Sequence, residues 1–156
     1  MQMREGAIAE LTQLLQSHGY TVDRVEDSLL EARKKRLLQI VVGDAFTDEE
    51  IEQSLQKLRE VREEGAYVVI ALPSSESSGI SYDFKHLFAC YEDLFGAEDI
   101  NLWGIEMDSR RIYMPMGSMP NFDYKLMTKL MESKSMNLMA QKVKERAFRQ
   151  QVLEKR

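Results

Sequence analysis

Residues Arg36–Leu72 read RLLQIVVGDAFTDEEIEQSLQKLREVREEGAYVVIAL, and the reading of this stretch decides the fold. Arg36–Val42 and Tyr67–Leu72 are short, nearly unbroken apolar runs, the pattern of strands covered on both faces and not of half-exposed, alternating ones. Between them Thr47 and Glu50 carry the spacing of a capping box, in which the Thr hydroxyl and the Glu carboxylate each satisfy a free backbone N–H. Ile51, Leu55, Leu58 and Val61 then make one helical stripe, and Gly65 supplies a stop. A strand, a crossover helix and a second, parallel strand follow from this, because a link so long does not suit a tight hairpin.

Working outward, Gly6–His18 is predicted to be a helix with Ile8, Leu11, Leu14 and Leu15 on its buried side and Gly19 at its end. Tyr20–Val25 alternates as a strand, with Tyr20, Val22 and Arg24 sharing a face. Ser28–Ala32 is a second short strand, joined to the central one by the basic run Arg33, Lys34, Lys35, Arg36. That run reads as a hairpin turn, and its four cations are candidates for contact with nucleic-acid phosphate.

Beyond Leu72, the segment Pro73–Gly79 is a loop by composition, and Ser81 is placed to cap a helix whose stripe is Phe84, Leu87, Phe88, Tyr91, Leu94 and Phe95, ended by Gly96. These aromatics at helical spacing are read as core. Asn101–Met107 and Arg110–Met114 flank Asp108 and Ser109 as a hairpin, with Trp103 partly buried. Residues around Gly117 and Pro120 form a linker, and from Phe122 the chain is helical again, as one helix or two broken near Ser133–Ser135. The expected division is an α/β domain over 1–116 and a linker with a helical C-terminal extension over 117–156.

Composition narrows the function. With 156 residues and 44% hydrophobic side chains the chain can bury one ordinary core and not two. The net charge of −5 argues against wholesale attraction to nucleic acid or anionic membrane, but it hides an asymmetry. From Asn121 onward there are nine basic and four acidic side chains, a local +5 that leaves −10 on the first 120 residues. There is no apolar run of the roughly 20 residues a membrane span needs and no signal-peptide core, so a cytoplasmic protein without membrane contact is expected. The single cysteine, Cys90, excludes an internal disulfide framework and is read as a small buried residue, while His18 and His86 are read as structural.

No glycine-rich phosphate loop, GxSxG, HExxH or paired CxxC occurs. The order helix, strand, strand, strand, helix, strand over Glu5–Leu72, with the stretches LLQSHGYTVDRVED and LLQIVVGDAFTDEE, resembles the core of the PD-(D/E)xK nuclease superfamily, and within it the archaeal Holliday-junction resolvases. The resemblance implies a three-layer α/β fold with a mixed, restriction-endonuclease-like sheet. It also implies a divalent metal held by an acid entering the hairpin and a Glu-x-Lys on the central strand, often helped by an acid on the first helix. Glu10 matches the helix acid and Asp27, or its neighbour Glu26, the hairpin acid. The central strand departs from the pattern, since Val41 stands at the Glu position and Gly43 at the Lys position. Asp44, Gln39 and the basic turn are the nearest substitutes.

The leading expectation is therefore a non-catalytic binding or assembly module with no cofactor. Its contact surface is the methionine-rich seam of the C-terminal helix, Leu126, Leu130, Met136, Met139 and Val143, and its partner is a second copy or another protein. The alternative is a Mg²⁺- or Mn²⁺-dependent nuclease with a rearranged site of Glu10, Asp27 and Asp44. A third reading is a flavodoxin-like nucleotide binder using the loop at Pro73–Gly79.

Overall fold

The computed structural model describes residues 3–75, 83–118 and 123–131. Within them the chain is an α/β protein in the order α1 (Arg4–Ser17), β1 (Thr21–Glu26), β2 (Leu29–Arg33), β3 (Leu37–Val42), α2 (Asp48–Val61), β4 (Tyr67–Ser74), α3 (Phe84–Glu98), β5 (Asn101–Glu106), β6 (Arg111–Met116) and α4 (Tyr124–Met131). The six strands form one mixed sheet in sequential order, β1-β2-β3-β4-β5-β6. β3, β4 and β5 are mutually parallel, and the pairs β1–β2, β2–β3 and β5–β6 are antiparallel.

The reading of Arg36–Leu72 holds. Leu38 to Val42 pair in parallel register with Tyr67 to Ala71. Thr47 Oγ1 accepts from the Glu50 amide at 3.2 Å, and Gly65 takes a positive φ of 80° just past the helix. The doubly covered strands divide their side chains between two cores. Leu38, Ile40, Val42, Tyr67, Val69, Ala71, Trp103 and Ile105 face α1 and α4, while Val41, Val68, Ile70, Leu72 and Leu102 face α2 and α3. Period-two burial on both sides of one sheet is what an unbroken apolar run becomes when helices cover it above and below.

Several expectations are corrected. Pro73 and Ser74 belong to β4 and not to a loop, because β4 extends to pair with Ile105 and Glu106. Asp83 caps α3, its carboxylate accepting from the Lys85 amide at 3.0 Å, and the helix runs through Gly96 to stop at Asp99, whose φ of 54° makes the left-handed turn. Trp103 is fully buried, not partly. Leu126 and Leu130 do not form a partner surface. Both are fully buried in the core shared with α1 and the sheet, so α4 belongs to the α/β body and not to an appended segment. Ser81, Pro120, Phe122, the break near Ser133–Ser135, Met136, Met139 and Val143 lie outside the described residues.

The topology also removes the flavodoxin-like reading. Crossover helices α2 and α3 lie on the same face and the strand order never reverses, so the sheet has no switch point at which a crevice opens beyond the strand ends. No helix among the described residues is long and apolar enough to cross a membrane.

Candidate functional site

The acids that the sequence singled out are held apart by their own structural partners. Glu10, on α1, faces Arg110 at 3.8 Å across a groove of about 580 Å³ between α1, the β5–β6 turn and α4; Arg111 and Lys129 also line it. Asp44, just past β3, pairs with Arg4 at 3.5 Å, and its carbonyl accepts from the Met3 amide, tying the start of α1 to the end of the central strand. Asp27 lies in the β1–β2 turn, where its carbonyl accepts two hydrogen bonds from the Arg24 guanidinium. The neighbouring Glu26 pairs with Lys57 of α2 at 2.9 Å. Among the described residues no three His, Cys, Asp or Glu side chains come together in a way that could hold a metal ion.

The central strand has its own use for the polar residue it carries. Gln39 is buried in β3; its amide nitrogen donates to Val61 O at 3.0 Å and to Glu31 Oε2 at 3.2 Å, and its amide oxygen accepts from the Glu63 N–H at 2.8 Å. Such a side chain closes the C-terminal end of α2, where carbonyls otherwise lack intrahelical donors. Nearby, the would-be lysine position, Gly43, lies so close to Leu72 and the Glu50 carboxylate that a Cβ there would collide with the Leu72 methyl.

The basic turn is partly committed too. Lys34 Nζ donates to His18 O at 2.9 Å, lies 5.6 Å from the centre of the Tyr20 ring and approaches Asp123 at 3.8 Å. Arg33 reaches Glu31 at 3.4 Å and Arg36 donates to Gly65 O at 3.2 Å. Lys34 is thus a strut between the β2–β3 turn and the start of α4. At its far end Asp123 is buried, accepts from Tyr20 Oη at 2.9 Å and caps α4 through the Leu126 amide at 3.1 Å. Burial raises the Asp123 pKa, but the Leu126 amide, the Tyr20 hydroxyl, Lys34 and His18 together outweigh it and leave the carboxyl below its ordinary range. Burial first, and then the Asp123 carboxylate, push the Tyr20 phenol up, so its hydroxyl stays a donor.

One constellation went unread in the sequence. Asp48, the first residue of α2, and His86 and Cys90, one turn apart on α3, form a line on the surface between the two helices. Asp48 Oδ2 is 2.7 Å from His86 Nε2, and His86 Nδ1 is 3.5 Å from Cys90 Sγ. Cys90 is exposed, which corrects the expectation that it is buried. The stripe that α3 buries runs through Leu87, Tyr91 and Phe95, and Cys90 precedes Tyr91 by one residue, about 100° round the helix. The i, i+4 spacing of His86 and Cys90 was legible in the chain, whereas the approach of Asp48 depends on how α2 and α3 pack side by side.

No protein-family model matches the chain, and no curated protein matches it. Among solved structures it is similar to an FdxN element excision controlling factor protein from Anabaena variabilis, at 14% identity and a TM-score of 0.45, over 70% of this chain and 97% of that one. A likeness that remote carries no argument about what the chain does.

Proposed function

We propose that the protein is a non-catalytic α/β module that associates with a second copy of itself through the C-terminal segment beyond α4. The observation that carries the reading is a division of charge along the chain. Leu126 and Leu130 bury α4 with the body, so the charge is compared on either side of Met131, the last described residue. Residues 132–156 hold seven basic and three acidic side chains, net +4, and −5 less +4 leaves −9 on residues 1–131. A basic segment carrying Met136, Met139 and Val143 has on the body of another copy a surface of opposite charge, and flexible methionine side chains adapt well to a contact that electrostatics has oriented.

Support for the non-catalytic part comes from the bonds that the candidate metal acids already make. Asp44 is paired with Arg4, Glu10 with Arg110, and Gln39 is consumed in closing α2. The element order from α1 to β4 is the one the nuclease resemblance calls for, so the alternative, a Mg²⁺- or Mn²⁺-dependent nuclease built on Glu10, Asp27 and Asp44, has a direct test. Titration of either ion into the full chain is expected to give no saturable heat and no thermal shift. Saturable binding abolished by Asp27→Ala would instead support the nuclease.

For the association itself, the informative truncation is after residue 131, since a cut at Gly117 also removes Leu126 and Leu130 from the core. The full chain is expected to self-associate at low salt and to dissociate as salt screens the contact, with 1–131 remaining folded and monomeric.

A further inference from the structure

We propose that Cys90 is a nucleophilic thiol, served by His86 as base and Asp48 as the group that orients it, which takes up small disulfides as mixed disulfides. The arrangement is the one that activates a thiol: a nucleophile within reach of an imidazole that is itself held by a third group. The ionised Asp48 carboxylate can only accept a hydrogen bond, so in the neutral imidazole its 2.7 Å contact places the proton on His86 Nε2 and leaves Nδ1, the atom that faces Cys90 Sγ, as an acceptor for the thiol proton. The tautomer needed for a base is thus the one the neighbouring carboxylate selects.

The disulfide is itself the two-electron oxidant: it is reduced to a thiol as Cys90 is oxidised to the mixed disulfide. Cys90 passes its proton to His86 Nδ1, and the thiolate attacks one sulfur of a disulfide R–S–S–R. A Cys90–S–S–R bond forms, the R–S bond partner leaves as R–S⁻ with the electron pair, and it takes the proton back from His86 as R–SH. Since Cys90 is the chain's single cysteine, no internal thiol can resolve the product, and release requires an external thiol. Exposure of Cys90 lets such a reagent in.

Charge around the thiol sets which disulfides fit. Asp48 and Glu52 of α2 both act on Tyr91, the residue next to Cys90, and Asp93 follows Cys90 by three residues on the same helix. The site therefore favours neutral or cationic disulfides over anionic ones.

The test uses the reduced full-length protein at pH 7, with iodoacetamide as a neutral probe of nucleophilicity and cystamine as a cationic disulfide, each rate divided by that of the same chain unfolded in urea. The folded protein should react faster than the unfolded one with both reagents, and the cystamine product should appear by mass spectrometry as an adduct that dithiothreitol removes. His86→Gln should lower the iodoacetamide rate roughly tenfold, within the ceiling of about 30-fold set by an unassisted thiol of pKa about 8.5 being only about 3% thiolate at pH 7, and Asp48→Asn should lower it less. Circular dichroism establishes that the variants keep their helices; should Asp48→Asn not fold, His86→Gln alone decides. Cystamine should gain more from folding than the dianionic dithiobis-nitrobenzoate. A folded-state rate no higher than the unfolded one, or a His86→Gln rate equal to that of the unsubstituted protein, would overturn the proposal.

Discussion

Gln39 and Gly104 are two residues at which the sheet has little freedom. Every polar atom of the Gln39 amide is used, two bonds to the end of α2 and one to Glu31, so an isosteric apolar residue would strand the Val61 carbonyl and the Glu63 amide. Gln39→Leu is expected to cost about 1–3 kcal/mol, the penalty of unsatisfied buried groups, measured by urea denaturation. An unchanged midpoint would mean that water replaces the amide and that the residue is free for another role. Gly104 is required for a different reason. The Tyr113 ring lies across its Cα from the neighbouring strand, and any Cβ would collide with the phenol end of that ring. Gly104→Ala should destabilise by about 1–3 kcal/mol through overpacking, visible as a lower melting temperature. Neither role is legible in the sequence, where a lone Gln and a lone Gly carry no partner information. The same applies to Cys90, whose burial was inferred from the habits of the residue type when its angular place one residue before Tyr91 decides the matter.

At the scale of elements, the sequence was informative wherever periodicity and caps agreed. The Thr47 cap and the stripe through Ile51, Leu55 and Leu58 lie where they were read; the helix ends at Val61, four residues before the glycine read as its stop, and of the run Arg33–Arg36 read as a turn Arg33 belongs to β2. Glycine used alone as punctuation misled: α3 passes through Gly96, where a Cβ would meet open space, and ends at Asp99. Composition misled at Pro73, which tolerates a strand because the pairing of β4 with β5 continues past it. The first edge of the sheet, β1, is exposed along most of its length, and its sequence opposes self-pairing. An antiparallel copy centred on Asp23 or Arg24 would set like charges face to face, which opposes edge addition in those registers.

The docking of α4 is the element-level feature with a pH signature. Because the folded Asp123 carboxyl titrates below its ordinary 3.8, its contribution is complete above that value and is lost as pH falls through the lower, folded value. The unsubstituted protein should thus lose stability below about pH 4 more steeply than Asp123→Asn, and the difference in urea midpoint between the two should shrink as the pH falls. A difference that is constant from pH 7 to pH 3 would place the Asp123 contribution in shape and not in charge. Tyr20→Phe should weaken the same contact without changing the body's other elements.

For the whole molecule, the α/β class and the parallel strand-helix-strand unit were readable from the apolar runs, but the extent of the body was not. A chain that reads as helical from Phe122 gives no sign that its first turns pack on the sheet, because Leu126 and Leu130 fit a partner-facing seam as well as they fit the core they occupy. The candidate site divided in the same way. Acids were easy to nominate from spacing, yet Glu10, Asp27 and Asp44 are separated by the ion pairs and turn bonds that hold α1 and the β1–β2 hairpin in place. What remains as the account's central claim is that acidic residues 1–131 are followed by a basic, methionine-bearing segment, through which we propose that copies meet. Light scattering on the full chain and on residues 1–131, at low and at high salt, tests it most directly. The account predicts a salt-sensitive oligomer for the full chain and a folded monomer for the truncated one; the same oligomeric state for the two at low salt would contradict it.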